Sequence, residues 1–360
     1  MILGLFLSPG DSLTKQQKSG QLDRFINYYL KPYSKNFSKV YLFSYGDNNQ
    51  QFKLPSNIIL IPKPSFIPYQ LHQLFLPFIH KNIIKTINIF RIFQAIGGLP
   101  ALLIKKPFIV TYGYHYDKFA KVEGKPIKAK LLSWLIRPVL NSAGKIIITS
   151  KENQQYLQKL NHEKKIILIP NGVDPQIFKS TQSKQLSYLI LAIGRLTHQK
   201  NHQLLLKTIS LSKFKNKIKL IIIGRGFLKR FLQSQANELD IKLEIIDKID
   251  HKKLPQWYQK TAVFALTSKI EGQPKVLLEA MSSGCACLTA NFTGNLIKDG
   301  QTGMIADSAE KLSKKLDVLL INQKLRLNLG RAAREEILKF FDIKKLIKKE
   351  IKLLNQTAKQ

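Results

Sequence analysis

An α/β fold in two parallel-sheet halves is predicted by three features of the sequence. Short β-rich apolar runs alternate with longer stretches of helical spacing, the pattern of a parallel sheet with helices on both faces. The alternation occurs twice, on either side of a turn-rich stretch at Pro170–Pro175. A length of 360 residues with 44% hydrophobic content suits two domains of ordinary size with real cores.

In the first half, Ile2–Ser8, Val40–Tyr45, Ile58–Ile61, Ile87–Phe90, Phe108–Tyr112, Lys145–Thr149 and Ile166–Ile169 read as strands. Helical spacing lies between several of them, as at Leu22–Tyr29 and Gln154–Leu160. Met1 to Leu7 is apolar, but no basic stretch precedes it and Ser8-Pro9-Gly10 ends it. It therefore reads as a first buried strand and not as a secretory signal. No run approaches the ~18 apolar residues of a membrane span.

In the second half, strands are expected at Tyr188–Ile193, Lys219–Ile223, Leu243–Ile246, Val263–Thr267 and Ala286–Thr289. Helices are expected at His202–Leu211, Phe227–Leu239, Leu254–Thr261, Pro274–Ser283, Ala309–Asn322 and Leu325–Phe340. The expected domains are residues 1–169 and 170–342, followed by an amphipathic helix over 343–360. That helix places Ile343, Ile347, Ile351 and Leu354 on one face, with six lysines from Lys344 to Lys359. Two Rossmann-like domains of this kind are expected to face a central cleft at the C-terminal ends of their strands. Pro170-Asn171-Gly172-Val173-Asp174 reads as the hinge between them.

The charge is extreme. Lys and Arg number 58 against 23 Asp and Glu, a net +35. Attraction to an anionic surface is one reading. A membrane face ranks first, because no nucleic-acid-binding motif is present and no specific nucleic acid is expected. Compositional bias toward Lys, Ile, Asn and Gln is the other reading. Leu71–Phe90 and Lys128–Val139, the latter with Trp134, mix large apolar residues with cations. That mixture suits a membrane interface, and also a core-packed helix. Cys285 and Cys287 are expected to point to opposite faces or stack poorly, so neither a disulfide nor a metal site is expected. No His/Cys cluster has ligand spacing, and no P-loop sequence occurs.

The chemistry concentrates in Glu271 to Met281, E-G-Q-P-K-V-L-L-E-A-M. A strand-like run precedes it. Pro274 suits the first position of a helix, and Val276, Leu277, Leu278 and Ala280 make that helix a buried one. Glu271 then sits on the loop after a strand, and Glu279 about two turns along the helix. A helix N-terminus offers backbone N–H groups and partial positive charge, and can hold a phosphate. The amides of Lys275 and Val276 are the candidate donors. Glu279 is placed to accept from two ribose hydroxyls, and Glu271 to read a sugar beyond the phosphates. A capped helix with two solvated glutamates fits the same letters. Residues 190–200, I-L-A-I-G-R-L-T-H-Q-K, end a strand at Gly194 and follow it with two cations, Arg195 and Lys200.

The three motifs P-N-G-V-D, G-R-x4-K and E-G-x-P-x-x-L-L-E-A-M, in this order, resemble the GT4-type family of retaining glycosyltransferases, which have the GT-B fold. The resemblance is strong from about Ile166 to Gly303 and weaker at the N-terminus. It implies a nucleotide-diphosphate sugar as donor, a lipid-linked or glycan hydroxyl as acceptor, no cofactor and no required metal. It assigns Arg195 and Lys200 to the diphosphate, Gly194 and Gly272 to the donor loops, and His115, after the fifth strand, to the donor sugar and reaction centre. Ile249 falls where relatives contact the nucleobase. The family's Gly-Gly loop after the first strand is represented by Gly10. The terminal helix of relatives often returns to the N-terminal domain. Two positions depart from the pattern: Arg225 stands between Gly224 and Gly226 where an acidic residue is frequent, and Asn295 replaces an acidic residue. The implied activity is hexose transfer with retention; the cysteine usage adds a cytoplasmic setting, and the charge a peripheral place on a membrane. A nucleotide-sugar 2-epimerase, a basic nucleic-acid-binding protein and a non-catalytic scaffold of the same fold are the alternatives.

Overall fold

All twelve strands expected from the sequence are present, and every one joins a parallel sheet. The structure, a computed structural model, describes residues 1–47, 52–113, 124–160, 162–180, 186–292 and 294–359. The chain divides into two compact units, Met1–Pro170 with Lys344–Gln360 and Asn171–Ile343.

The first unit contains β1 (Ile2–Phe6), β2 (Lys39–Ser44), β3 (Ile58–Pro62), β4 (Ile89–Ile92), β5 (Phe108–Tyr112), β6 (Lys145–Ile148) and β7 (Ile166–Leu168). Their order is β3-β2-β1-β4-β5-β6-β7. Helices cover both faces, which is why every residue of β4 and β5 is buried, with no alternation of buried and exposed positions. The fourth strand lies two residues later than the sequence suggests, Ile89–Ile92 in place of Ile87–Phe90, because its interior contains Arg91.

Arg91 is only 3% exposed. Its Nε donates to Glu350 Oε1 at 2.7 Å and its Nη2 to Glu350 Oε2 at 3.2 Å. Tyr33 also donates to Glu350. Burial, and then the Glu350 charge, push the Tyr33 hydroxyl well above its ordinary pKa. Glu350 lies on helix Ile343–Thr357, whose Ile347, Ile351 and Leu354 pack into the same core as Leu3, Leu5 and Tyr33. The terminal helix thus places one apolar stripe and one charge inside the first unit.

The second unit contains β8 (Leu186–Ile193), β9 (Lys219–Ile223), β10 (Lys242–Ile246), β11 (Thr261–Leu266), β12 (Ala286–Ala290) and β13 (Met304–Ala306), in the order β10-β9-β8-β11-β12-β13. The sequence reading misses β13. It has three residues and only Ala306 is buried, so it carries almost no apolar signal of its own. Cys285 and Cys287 are free, buried thiols in one apolar cluster. The expectation of opposite faces is corrected here: side chains two apart along an extended chain share a face.

Removing Glu350 strands the Arg91 guanidinium in the core. Glu350→Ala is expected to cost ~3–5 kcal/mol, the scale for breaking a buried pair, and Tyr33→Phe about 1 kcal/mol. Urea unfolding of the full chain measures both. Equal small losses would mean that the apolar stripe alone holds the terminal helix.

Candidate active site

The chain leaves β8 through β9 and β10 on one side and returns to β11 on the other. The loops after β8 and β11 therefore diverge from neighbouring strands, a topological switch point of the kind where α/β sheets bind ligands. Gly194, Arg195, Lys200 and Glu271 lie on these two loops, and Glu279 on the helix that follows the second.

The loops are bonded to each other. Thr267 Oγ1 donates to the Asn201 carbonyl at 3.0 Å, and the Lys269 N–H to the Gln199 carbonyl at 2.9 Å. The Gln199 side chain, 2% exposed, donates through Nε2 to the Ile270 carbonyl at 2.9 Å. Its Oε1 accepts from Arg195 Nη2 at 2.8 Å. Lys200 Nζ lies 2.5 Å from Glu271 Oε1, and Ser268 Oγ donates to the same oxygen at 2.6 Å. Arg195, Lys200 and Glu271 are thus joined through Gln199 and the loop backbone, and Gly194 leaves room for Lys200 to lie against it. Any Cβ on Gly194 would sit 3.1 Å from Lys200 Cδ. Nothing in the local sequence singles out Gln199 or Ser268; only their partners identify them.

Gly224-Arg225-Gly226, an uninformative motif in the sequence, has a packing role. The Leu196 N–H donates to the Arg225 carbonyl at 2.8 Å, so the Arg195 loop lies directly against this stretch. A methyl on Gly224 would overlap the Gly194 carbonyl, and one on Gly226 the Leu196 carbonyl. His202 approaches the Arg195 carbonyl through Nε2 at 3.3 Å. Burial, and then the Lys200 charge, push its pKa down to about 4, so it stays neutral near pH 7.

The helix after β11 spans Lys275–Ser282. Pro274 is its extended cap and not its first residue. Glu271 and Glu279 are 7% and 4% exposed, which removes the reading of two solvated glutamates. Glu279 Oε1 lies 3.0 Å from His251 Nε2, and its Oε2 accepts from the Tyr258 hydroxyl at 3.0 Å. Burial, with the Glu279 charge next, raises the Tyr258 pKa well above normal, so the hydroxyl keeps its proton. Gly272, Val276 and Ile249 are half-buried near these groups in sequence, and Lys275 is exposed. Asn171 donates from its N–H to Gln273 Oε1 and from Nδ2 to the Gln273 carbonyl at 3.0 Å. The P-N-G-V-D motif is thereby tied to the Glu271 loop.

Asn295 has a structural role that a carboxylate cannot fill. Its Nδ2 donates to Thr289 Oγ1 at 2.8 Å and to the Ala290 carbonyl at 3.1 Å. A carboxylate there would only accept.

In the first unit, Gly10 turns the chain after β1 with φ +73°. The next backbone donors are engaged internally: the N–H groups of Leu13 and Thr14 bond the Asp47 carboxylate at 2.8 and 2.9 Å. Burial would raise the Asp47 pKa, but hydrogen bonds led by the Thr14 and Ser44 hydroxyls lower it overall. His115 lies outside the described residues.

Residues 173–336 match the family Glycosyl transferases group 1, and residues 35–177 match Glycosyltransferase Family 4. The chain belongs to these group 1, family 4 glycosyltransferases, and its fold is GT-B. A Campylobacter jejuni GalNAc-alpha-(1->4)-GalNAc-alpha-(1->3)-diNAcBac-PP-undecaprenol alpha-1,4-N-acetyl-D-galactosaminyltransferase is 29% identical over 63% of this chain and 64% of its own length. The chain thus spans under two thirds of that relative. Sucrose-phosphate synthase from Thermosynechococcus elongatus matches with a TM-score of 0.81 at 16% identity, over 99% of this chain and 98% of that one. Anabaena HepE in complex with UDP and glucose matches with a TM-score of 0.74 at 16% identity, over 99% of each chain.

Gly224→Ala is expected to push the Arg195 loop off β9 and cost about 1–3 kcal/mol, the range for overpacking. Gly113→Ala is the control, since its nearest neighbour atoms lie at 3.7 Å. Thermal unfolding compares the two, and equal melting temperatures would show that the loop is not packed as described.

Proposed function

We propose that this chain is a retaining glycosyltransferase. It moves a hexose from a nucleotide-diphosphate sugar to a hydroxyl acceptor, lipid-linked or glycan, in glycolipid, lipopolysaccharide or polysaccharide synthesis. One observation carries the reading: two cations and a buried carboxylate share one bonded cluster at the switch point of the second unit. The family matches support glycosyl transfer. The PP-undecaprenol-linked substrate in the name of the Campylobacter relative supports a lipid-linked acceptor. The UDP and glucose held by HepE support the donor class.

In this reading Arg195 and Lys200 hold the diphosphate. When the bond from the anomeric carbon to the diphosphate oxygen breaks, its electron pair goes to that oxygen, and the fixed cations stabilise the charge. The acceptor oxygen bonds the anomeric carbon on the face that the diphosphate leaves. Its proton passes to a departing phosphate oxygen. Glu271 exchanges Lys200 for hydroxyls of the transferred sugar. Glu279 accepts from the ribose. A carboxylate has about four acceptor sites, so the contacts from His251 and Tyr258 fix its rotamer and leave capacity for hydroxyls. Gln199 is a positioning residue for Arg195. Catalysis rests on orientation and leaving-group stabilisation. The place of work is the cytoplasmic side of a membrane, with the protein peripheral to it.

Arg195→Ala and Lys200→Ala are each expected to lower kcat/KM by ~100-fold or more, the scale of one lost transition-state partner. Near-normal turnover in both would end the assignment. The two glutamates should fail differently. Glu279→Gln is expected to weaken UDP and the UDP-sugar together. Glu271→Gln is expected to leave UDP binding almost normal and to depress transfer, because UDP carries no sugar to touch. Calorimetry of both ligands beside the transfer rate decides. Equal loss of UDP affinity in both variants would merge the two roles into one nucleotide site.

A further inference from the structure

Helix Tyr69–Ile79 is amphipathic in the wrong sense for a helix that faces water. His72, Gln73 and Leu76 are buried at 1%, 6% and 2% exposure. Leu71, Leu74, Phe75, Phe78 and Ile79 face outward, with Phe78 at 68%. Two of the buried positions are polar, and all five of these outward ones are large and apolar. Single exposed apolar side chains are ordinary on protein surfaces, but a row of them marks an interaction site.

The row continues over the neighbouring helices. Helix Leu99–Ile104 packs against Tyr69–Ile79, and helix Pro126–Ser142 packs against Leu99–Ile104. All three contribute to one core on the same side of the sheet. Leu103 is 53% exposed on the middle helix. On the third, Ile127, Leu131 and Trp134 are exposed at 86%, 54% and 70%. Their spacing of four and then three residues makes one stripe along that helix. Within these helices and the described residues that flank them closely in sequence, the charge has one sign. Lys81, Lys85, Lys105, Lys130 and Arg137 are exposed there. Helices Tyr69–Ile79, Lys81–Thr86, Leu99–Ile104 and Pro126–Ser142 contain no Asp or Glu at all.

We propose that this three-helix face of the first unit lies in the headgroup region of an anionic bilayer. Its apolar row inserts, Trp134 sits at the interface, and the flanking lysines meet lipid phosphates. Helices that lie in the plane of a membrane combine these same elements. Charge selects this occupant. A second copy of the chain would set cations against cations, since each copy carries +35. A nucleic acid would use the lysines and leave the leucine–phenylalanine row in water. No helix among the described residues is long and apolar enough to cross a membrane, so the contact is peripheral. The inference deepens the transferase reading and rests on it in one respect, that the bilayer carries the lipid-linked acceptor.

The chain has two tryptophans, Trp134 and Trp257. In full-length Trp257→Phe protein, Trp134 alone reports. With phosphatidylcholine vesicles containing phosphatidylglycerol, its emission is expected to shift to the blue and to be quenched by brominated acyl chains. Phosphatidylcholine alone should do neither, and added salt should reduce the effect. The variant with both Phe75→Glu and Phe78→Glu is expected to lose vesicle affinity by at least ~10-fold, since two phenylalanines no longer bury. Both side chains are exposed, so its melting temperature and its transfer to a water-soluble acceptor should hold. Unmoved Trp134 emission, equal binding to neutral vesicles, or undiminished binding of the double variant would overturn the proposal. So would a concentration-dependent dimer that the double variant abolishes. Arg195→Ala separates the two readings, because it should lose transfer and keep vesicle binding.

Discussion

The ion pair between Lys200 and Glu271 is the constraint on which the second unit's site depends. It joins the loops after β8 and β11, the two strands between which the chain reverses its direction of travel across the sheet. Both side chains are nearly out of water, 12% and 8% exposed. Such a pair persists only where further hydrogen bonds support it; Ser268 donates one to Glu271 Oε1, and Gln199 ties the two loops together through the Ile270 carbonyl. The glycines follow from the same requirement. Gly194 lets the Lys200 stem lie flat, while Gly224 and Gly226 let the whole loop rest on the end of β9. A bulkier residue at any of these glycines would push the two loops and their charged groups apart.

The first unit solves a related problem differently. Its buried Arg91 is fastened by the terminal helix, where Glu350 meets Arg91 and Tyr33 in the core. At the turn after β1, Asp47 satisfies two backbone donors. Charge in this unit is therefore of two kinds. Inside, each of these carboxylates has a defined set of partners. Outside, lysines surround an apolar row and face no acidic residue on their own helices. A net charge of +35 read from composition says nothing of where the cations lie; their distribution over the helix faces is visible only in the structure.

Much of the site was legible from spacing. A strand followed by G-R-x4-K, and another followed by E-x7-E that runs from a loop into a helix, point to the groups assigned to a nucleotide sugar in the proposed reaction. The spacing could not reveal the partners. Gln199, Ser268, His251 and Tyr258 are ordinary letters in the sequence, distant from or unremarkable beside the residues they hold. Asn295 reads as a lost acid until its two donated bonds are seen. Pro274 looks like a first helical residue, and its ψ of 115° makes it the cap.

What the sequence by itself determined is the alternation of strand and helix, the parallel sheets and the division into two halves. Those follow from local apolar patterning and turn chemistry, which act over a few residues. Tertiary structure alone decided the rest. Arg91 interrupts an apolar strand because its counter-charge is 259 residues away along the chain. The three-residue β13 exists because β12 offers it an edge. The outward face of helix Tyr69–Ile79 is apolar although its composition equally suits a core helix, because only packing fixes which side of a helix is in. Each of these depends on contacts between residues far apart in the chain, and no window of local sequence contains both partners.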